Sequence, residues 1–66
     1  MELTVNGENR SLVDGASVAD LVEELGLTGQ RLAVEVNQEI VPRSAHPGHE
    51  LEPGDRVEIV HAIGGG

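Results

Sequence analysis

The sequence predicts an α+β domain, a mixed sheet of four to five strands with one helix packed on one face. Three observations predict it. Apolar and polar residues alternate with a period of two near the start, in the middle and at the end of the chain, the pattern of strands that bury one face. A single stretch changes to the helical period, with Val18, Leu21, Val22 and Leu25 at i, i+3, i+4 and i+7. A length of 66 residues leaves room for one core only.

The first strand is Glu2-Leu3-Thr4-Val5-Asn6, in which Leu3 and Val5 share a face. Asn6-Gly7 readily takes positive φ and favours a tight hairpin turn, after which Arg10-Ser11-Leu12-Val13 is expected to return antiparallel. The helix is expected over residues 18–25. Ser17 and Asp20 stand at the spacing of a capping box, and Gly26 follows where a helix-ending glycine belongs. Alternation resumes in Leu32-Ala33-Val34-Glu35-Val36, and Asn37-Gln38 turns the chain into Glu39-Ile40-Val41, which Pro42 ends. Residues 43–50 read as irregular. Pro53-Gly54-Asp55 is a turn that starts the last and most β-branched strand, expected over Arg56–Ile63. Gly64, Gly65 and Gly66 then form a flexible tail outside a folded domain of residues 1–63.

Composition excludes several function classes. There is no Phe, Tyr or Trp, so the core is built from Val, Leu and Ile and no site can work by stacking bases. There is no Cys, which removes disulfides, thiolate metal sites, iron–sulfur clusters and a Cys nucleophile. Twelve acidic residues against four arginines give a net charge of −8, a field that repels nucleic acid and anionic membranes. The same field favours docking on a basic protein surface. The first twenty residues carry four acids and no apolar run longer than two, so neither a signal peptide nor a membrane span is expected, and the cytoplasm is the expected location. No phosphate loop, catalytic triad or pocketed acid cluster is evident, so the chain is not expected to be an enzyme.

Two hairpins joined through one crossing helix is the arrangement of the β-grasp, or ubiquitin-like, fold. Over all 66 residues the chain also resembles the ThiS family of sulfur carrier proteins in thiamine biosynthesis. The resemblance rests on Ser17-Val18-Ala19-Asp20-Leu21 at the helix start and on Leu32 through Arg43 with its V-N-x-x-I-V-P-R segment. It rests too on the Pro53-Gly54-Asp55 turn and on a strand running into a terminal Gly-Gly. Gly65 and Gly66 match the family's pair, and Gly64 is a third glycine at a position that tolerates small residues.

The resemblance implies that the carboxylate of Gly66 is the reacting group. It would be adenylated by an E1-like adenylyltransferase of the ThiF type using ATP, the chain itself binding no cofactor and no metal. A sulfur-donating desulfurase system would then convert it to a thiocarboxylate, which donates sulfur to the thiazole ring on a ThiG-type thiazole synthase. The chain would be a protein cosubstrate. Physical chemistry agrees with the tail's part in this scheme: three residues without side chains, at about 3.3 Å each, reach about 10 Å and pass a channel too narrow for a Cβ.

Partner contacts are expected at Gly64 and Gly65 and at Val60 and Ala62, which alternation places on the sheet face opposite the helix, rimmed by acids such as Glu58. Two related functions use the same tail: the small subunit of molybdopterin synthase and a ubiquitin-like modifier. The short chain and the V-N-x-x-I-V-P-R segment favour the thiazole carrier. His46 and His49 form an H-x-x-H without an evident third ligand and read as solvated loop residues, Pro47 and Gly48 opposing a helical turn. His61 reads as a half-buried strand residue satisfied by a neighbour.

Overall fold

The computed structural model describes residues 1–61. Five strands and one helix are present: β1 Glu2–Val5, β2 Glu8–Ser11, α1 Val18–Glu24, β3 Leu32–Val36, β4 Glu39–Val41 and β5 Arg56–His61. A 3-10 helix spans Arg43–Gly48. The strands form one sheet in the order β2-β1-β5-β3-β4. β5 lies at its centre, parallel to β1 and antiparallel to β3, so the sheet is mixed.

Both hairpins turn through two residues in the left-handed region, Asn6 (φ 51°) with Gly7 (φ 83°) and Asn37 (φ 52°) with Gln38 (φ 70°). So tight a turn pairs Val5 directly with Glu8, and β2 therefore occupies residues 8–11 rather than the expected 10–13. Leu12 is left beyond it as a buried core residue and Val13 as a side chain 78% exposed.

The helix begins where its chemistry requires. Ser17 N donates to Asp20 Oδ2 at 2.9 Å and Asp20 N donates to Ser17 Oγ at 3.1 Å, a complete capping box. Gly26 takes φ +73°, its N–H donating to Glu23 O while that of Leu27 donates to Val22 O, each at 3.0 Å. This paired closure ends the helix at Glu24, one residue before the expected limit.

Val18, Leu21 and Val22 pack against Leu3, Val5, Val34, Val36, Val57 and Ile59 in a single apolar cluster. Leu25 packs at its edge. Residues 43–50 depart from the irregular reading. A 3-10 turn needs only i to i+3 bonds, such as Ala45 N to Pro42 O at 2.8 Å, and the fixed φ of Pro47 suits it. This segment is tied to the helix start by Val18 N to His49 O (2.9 Å) and Leu51 N to Ala16 O (2.8 Å). No helix among the described residues is long and apolar enough to cross a membrane.

Candidate functional site

The site is built around β5, because that strand leads to the glycines. Its alternation sends Val57 and Ile59 into the core and leaves Arg56, Glu58 and Val60 exposed. The face opposite the helix therefore carries Val60, 57% exposed, as the alternation predicted. Val60 pairs with Ala33, while Glu58 pairs with Glu35, which in turn pairs with Ile40 on β4. Ile40 is 73% exposed, so the open face holds a small apolar group, Val60, Ala33 and Ile40, interrupted and rimmed by Glu35 and Glu58. The alternation Glu39-Ile40-Val41 could have marked Ile40 as outward-facing, but its place in this group follows only from the strand order. Ala62, Gly64, Gly65 and Gly66, with Ile63, lie outside the described residues.

Two asparagines hold β5 from opposite ends. Asn6 Oδ1 accepts from Ile59 N at 2.8 Å, and Asn6 Nδ2 donates to Ile59 O at 3.2 Å. Asn37 Oδ1 accepts from Arg56 N at 3.0 Å, and Asn37 Nδ2 donates to Asp55 Oδ1 at 3.0 Å. In the sequence Asn6 stands at the end of a strand and both residues stand at turns, and neither position signals a hold on β5.

His61 is exposed rather than half-buried, because it stands past the edge of the core. Its Nε2 donates to Gln30 Oε1 at 2.8 Å, a neighbour's partnership as expected. Gln30 also lines a cleft of about 250 Å³ with Val22, Leu27, Leu32, Arg43 and His46. His46 is buried rather than solvated, because its Nε2 donates to the Val41 carbonyl at 3.1 Å and its ring fastens the 3-10 segment to β4. His49 is half-buried and contributes its carbonyl to the helix start. Among the described residues no group of three potential metal ligands converges.

A mixed sheet with β5 at its centre, one helix packed on one face and two flanking hairpins define a ubiquitin-like β-grasp protein. Residues 3–66 match the model of the ThiS family, and the chain belongs to that family. The sulfur carrier protein ThiS of Escherichia coli is 30% identical over the full length of both chains. The crystal structure of the thiamine biosynthesis protein ThiS from Geobacter metallireducens superposes with a TM-score of 0.85 at 32% identity, each chain fully covered. The thiazole synthase of Paramagnetospirillum magneticum contains a region 44% identical to the whole of this chain. The chain spans about a fifth of the length of that enzyme, 20%.

Proposed function

We propose that this chain is a sulfur carrier for the thiazole ring of thiamine, working as a cosubstrate rather than as an enzyme. The observation that carries the reading is that the family match runs through the glycines to residue 66. In this scheme a carboxylate oxygen of Gly66 attacks the α-phosphorus of ATP on an E1-like adenylyltransferase, and pyrophosphate leaves. The terminal sulfur of a persulfide on the desulfurase system then displaces AMP, and a thiol reductant cleaves the resulting acyl disulfide, which leaves a thiocarboxylate on the chain and a disulfide on the reductant's side. A carboxylate is inert to nucleophiles at neutral pH, so the activation is chemically required. The chain supplies the reacting terminus, and the partners hold the ATP. The similarity to a region of thiazole synthases supports a thiazole synthase as the enzyme that takes the sulfur.

Intact mass spectrometry after incubation with such an adenylyltransferase, ATP, a desulfurase and a thiol reductant tests the reading. The expected product carries one sulfur in place of one oxygen. A ladder of isopeptide conjugates to lysines of other proteins, with no such product, would overturn it in favour of a modifier.

The docking face of the reading is the open sheet around Val60, an apolar group rimmed by Glu35 and Glu58 that suits a partner surface basic around an apolar centre. Val60→Arg is therefore expected to raise KM for adenylation about tenfold or more, the order of one lost interface anchor. Because the side chain is 57% exposed, the melting temperature should move by no more than about 2–4 °C, as for a surface substitution of within about 0.5 kcal/mol. Unchanged kinetics would move the docking face elsewhere.

A further inference from the structure

β1 and β5 run parallel only briefly, with Thr4 opposite Arg56 and Val5 opposite Val57. Thr4 N donates to Asp55 O at 3.0 Å and Asn6 N donates to Val57 O at 2.9 Å. In a continuing parallel ladder the carbonyl of Asn6 would next accept from Ile59 N. It cannot do so, because Asn6 has entered the left-handed region at φ 51° and the chain has turned toward β2. The Asn6 side chain fills the gap with both halves of its amide, Oδ1 on Ile59 N at 2.8 Å and Nδ2 on Ile59 O at 3.2 Å. Without it, both main-chain groups of Ile59 would lose these partners, two residues before the last described position.

The same substitution occurs at the other hairpin. Asn37 N donates to Arg56 O at 2.8 Å, and Asn37 Oδ1 takes the N–H of Arg56 at 3.0 Å in place of the main-chain carbonyl, which φ 52° has turned aside. Asn37 therefore secures the incoming end of β5 and Asn6 the outgoing end.

We propose that Asn6 is a positioning residue whose amide clamp on Ile59 fixes the β1-facing side of the outgoing end of β5, the other side being paired at Val60 and His61 with Ala33 and Leu32 of β3. The proposal rests on the reading that Gly66 is adenylated. A fixed strand end limits the directions in which the following residues set out, so less ordering remains when the terminus enters the adenylation site. Val60, on the docking face, keeps its own place in the β3 ladder opposite Ala33. The clamp is therefore expected to act on turnover more than on docking.

Asn6→Gly and Asn37→Gly form a matched pair, since glycine adopts the left-handed turn without strain and each change removes only a clamp. In Asn6→Gly, hydrogen exchange at the Ile59 amide is expected to rise at least about tenfold, with that of Arg56 unchanged. In Asn37→Gly the two amides are expected to exchange roles. Exchange at Val34, a core amide, reports any global loss of stability and separates it from local release. In adenylation, Asn6→Gly is expected to lower kcat about tenfold with KM changed by less than about twofold, while Asn37→Gly changes neither. Equal kinetic effects of the two variants, or an Ile59 amide that stays protected without Asn6, would overturn the proposal. If the wild-type chain is not adenylated at all, the proposed function fails, and exchange at Ile59 alone decides whether Asn6 holds the strand end.

Discussion

Deleting Gly66 is expected to abolish thiocarboxylate formation, with a loss of at least about 100-fold, while leaving the melting temperature where it is. The shortened chain still ends in a glycine carboxylate, but about 3.3 Å short of its mark. A misplacement of even about 1 Å at a reacting centre costs on the order of 100-fold. Among the described residues the thirteen buried apolar residues lie between Leu3 and Ile59, and a glycine has no side chain to add to a core, so the deletion is expected to cost little stability. Gly65→Leu is the companion variant: it keeps the length and adds a side chain that a glycine-wide channel would refuse. Intact mass after complete reaction, with thermal denaturation alongside, checks both. A Gly66-deleted chain that still acquires sulfur at its end would show that the reaction does not depend on that terminus, and the carrier reading would fall.

The second large effect concerns the scaffold. Leu21 is fully buried, at 0% exposure, on the helix face that covers the sheet. Leu21→Ala removes its transfer energy and leaves a cavity, together about 2–5 kcal/mol. A domain of this size holds roughly 3–10 kcal/mol in all, so the loss is a large fraction of the total. It is expected to lower the melting temperature by about 10–20 °C or more, and to shift the urea midpoint with little change in slope. A fall of less than about 5 °C would mean that the helix does not close the core as described. Val60→Arg, on the opposite face, is the contrasting case, because it adds charge where water already is.

The helix and both hairpins were legible because their signals are local. Ser17 and Asp20 are three residues apart, and Asn6-Gly7 and Asn37-Gln38 carry their turn chemistry within one dipeptide. Local signals also explain the errors. Nothing in Arg10 to Val13 reveals that the turn begins pairing at Glu8, since the register depends on backbone angles rather than on the alternation. Pro47 looked like a breaker because a 3-10 turn makes fewer demands than an α-helix. The exposed position of Val60 followed from the period of two, but its grouping with Ala33 and Ile40 needed the strand order. The Asn6 clamp was out of reach for the same reason, since it joins residues 53 positions apart. The glycines at the end of the chain were readable only by resemblance.

The placement of β5 at the centre of the sheet bears on how the protein is made. β1 and β3 share no ladder, and within the sheet the two hairpins are joined only through β5, the last of the described strands in chain order. While Arg56–His61 are still inside the ribosome, the two hairpins have no strand between them to complete the sheet, and an isolated hairpin is marginal in water. The sheet therefore closes only once β5 has emerged, and a product of premature termination upstream of β5 lacks the strand that joins its two halves and is open to proteases. The closed sheet is therefore a record of synthesis: a chain that has it has been translated at least through β5.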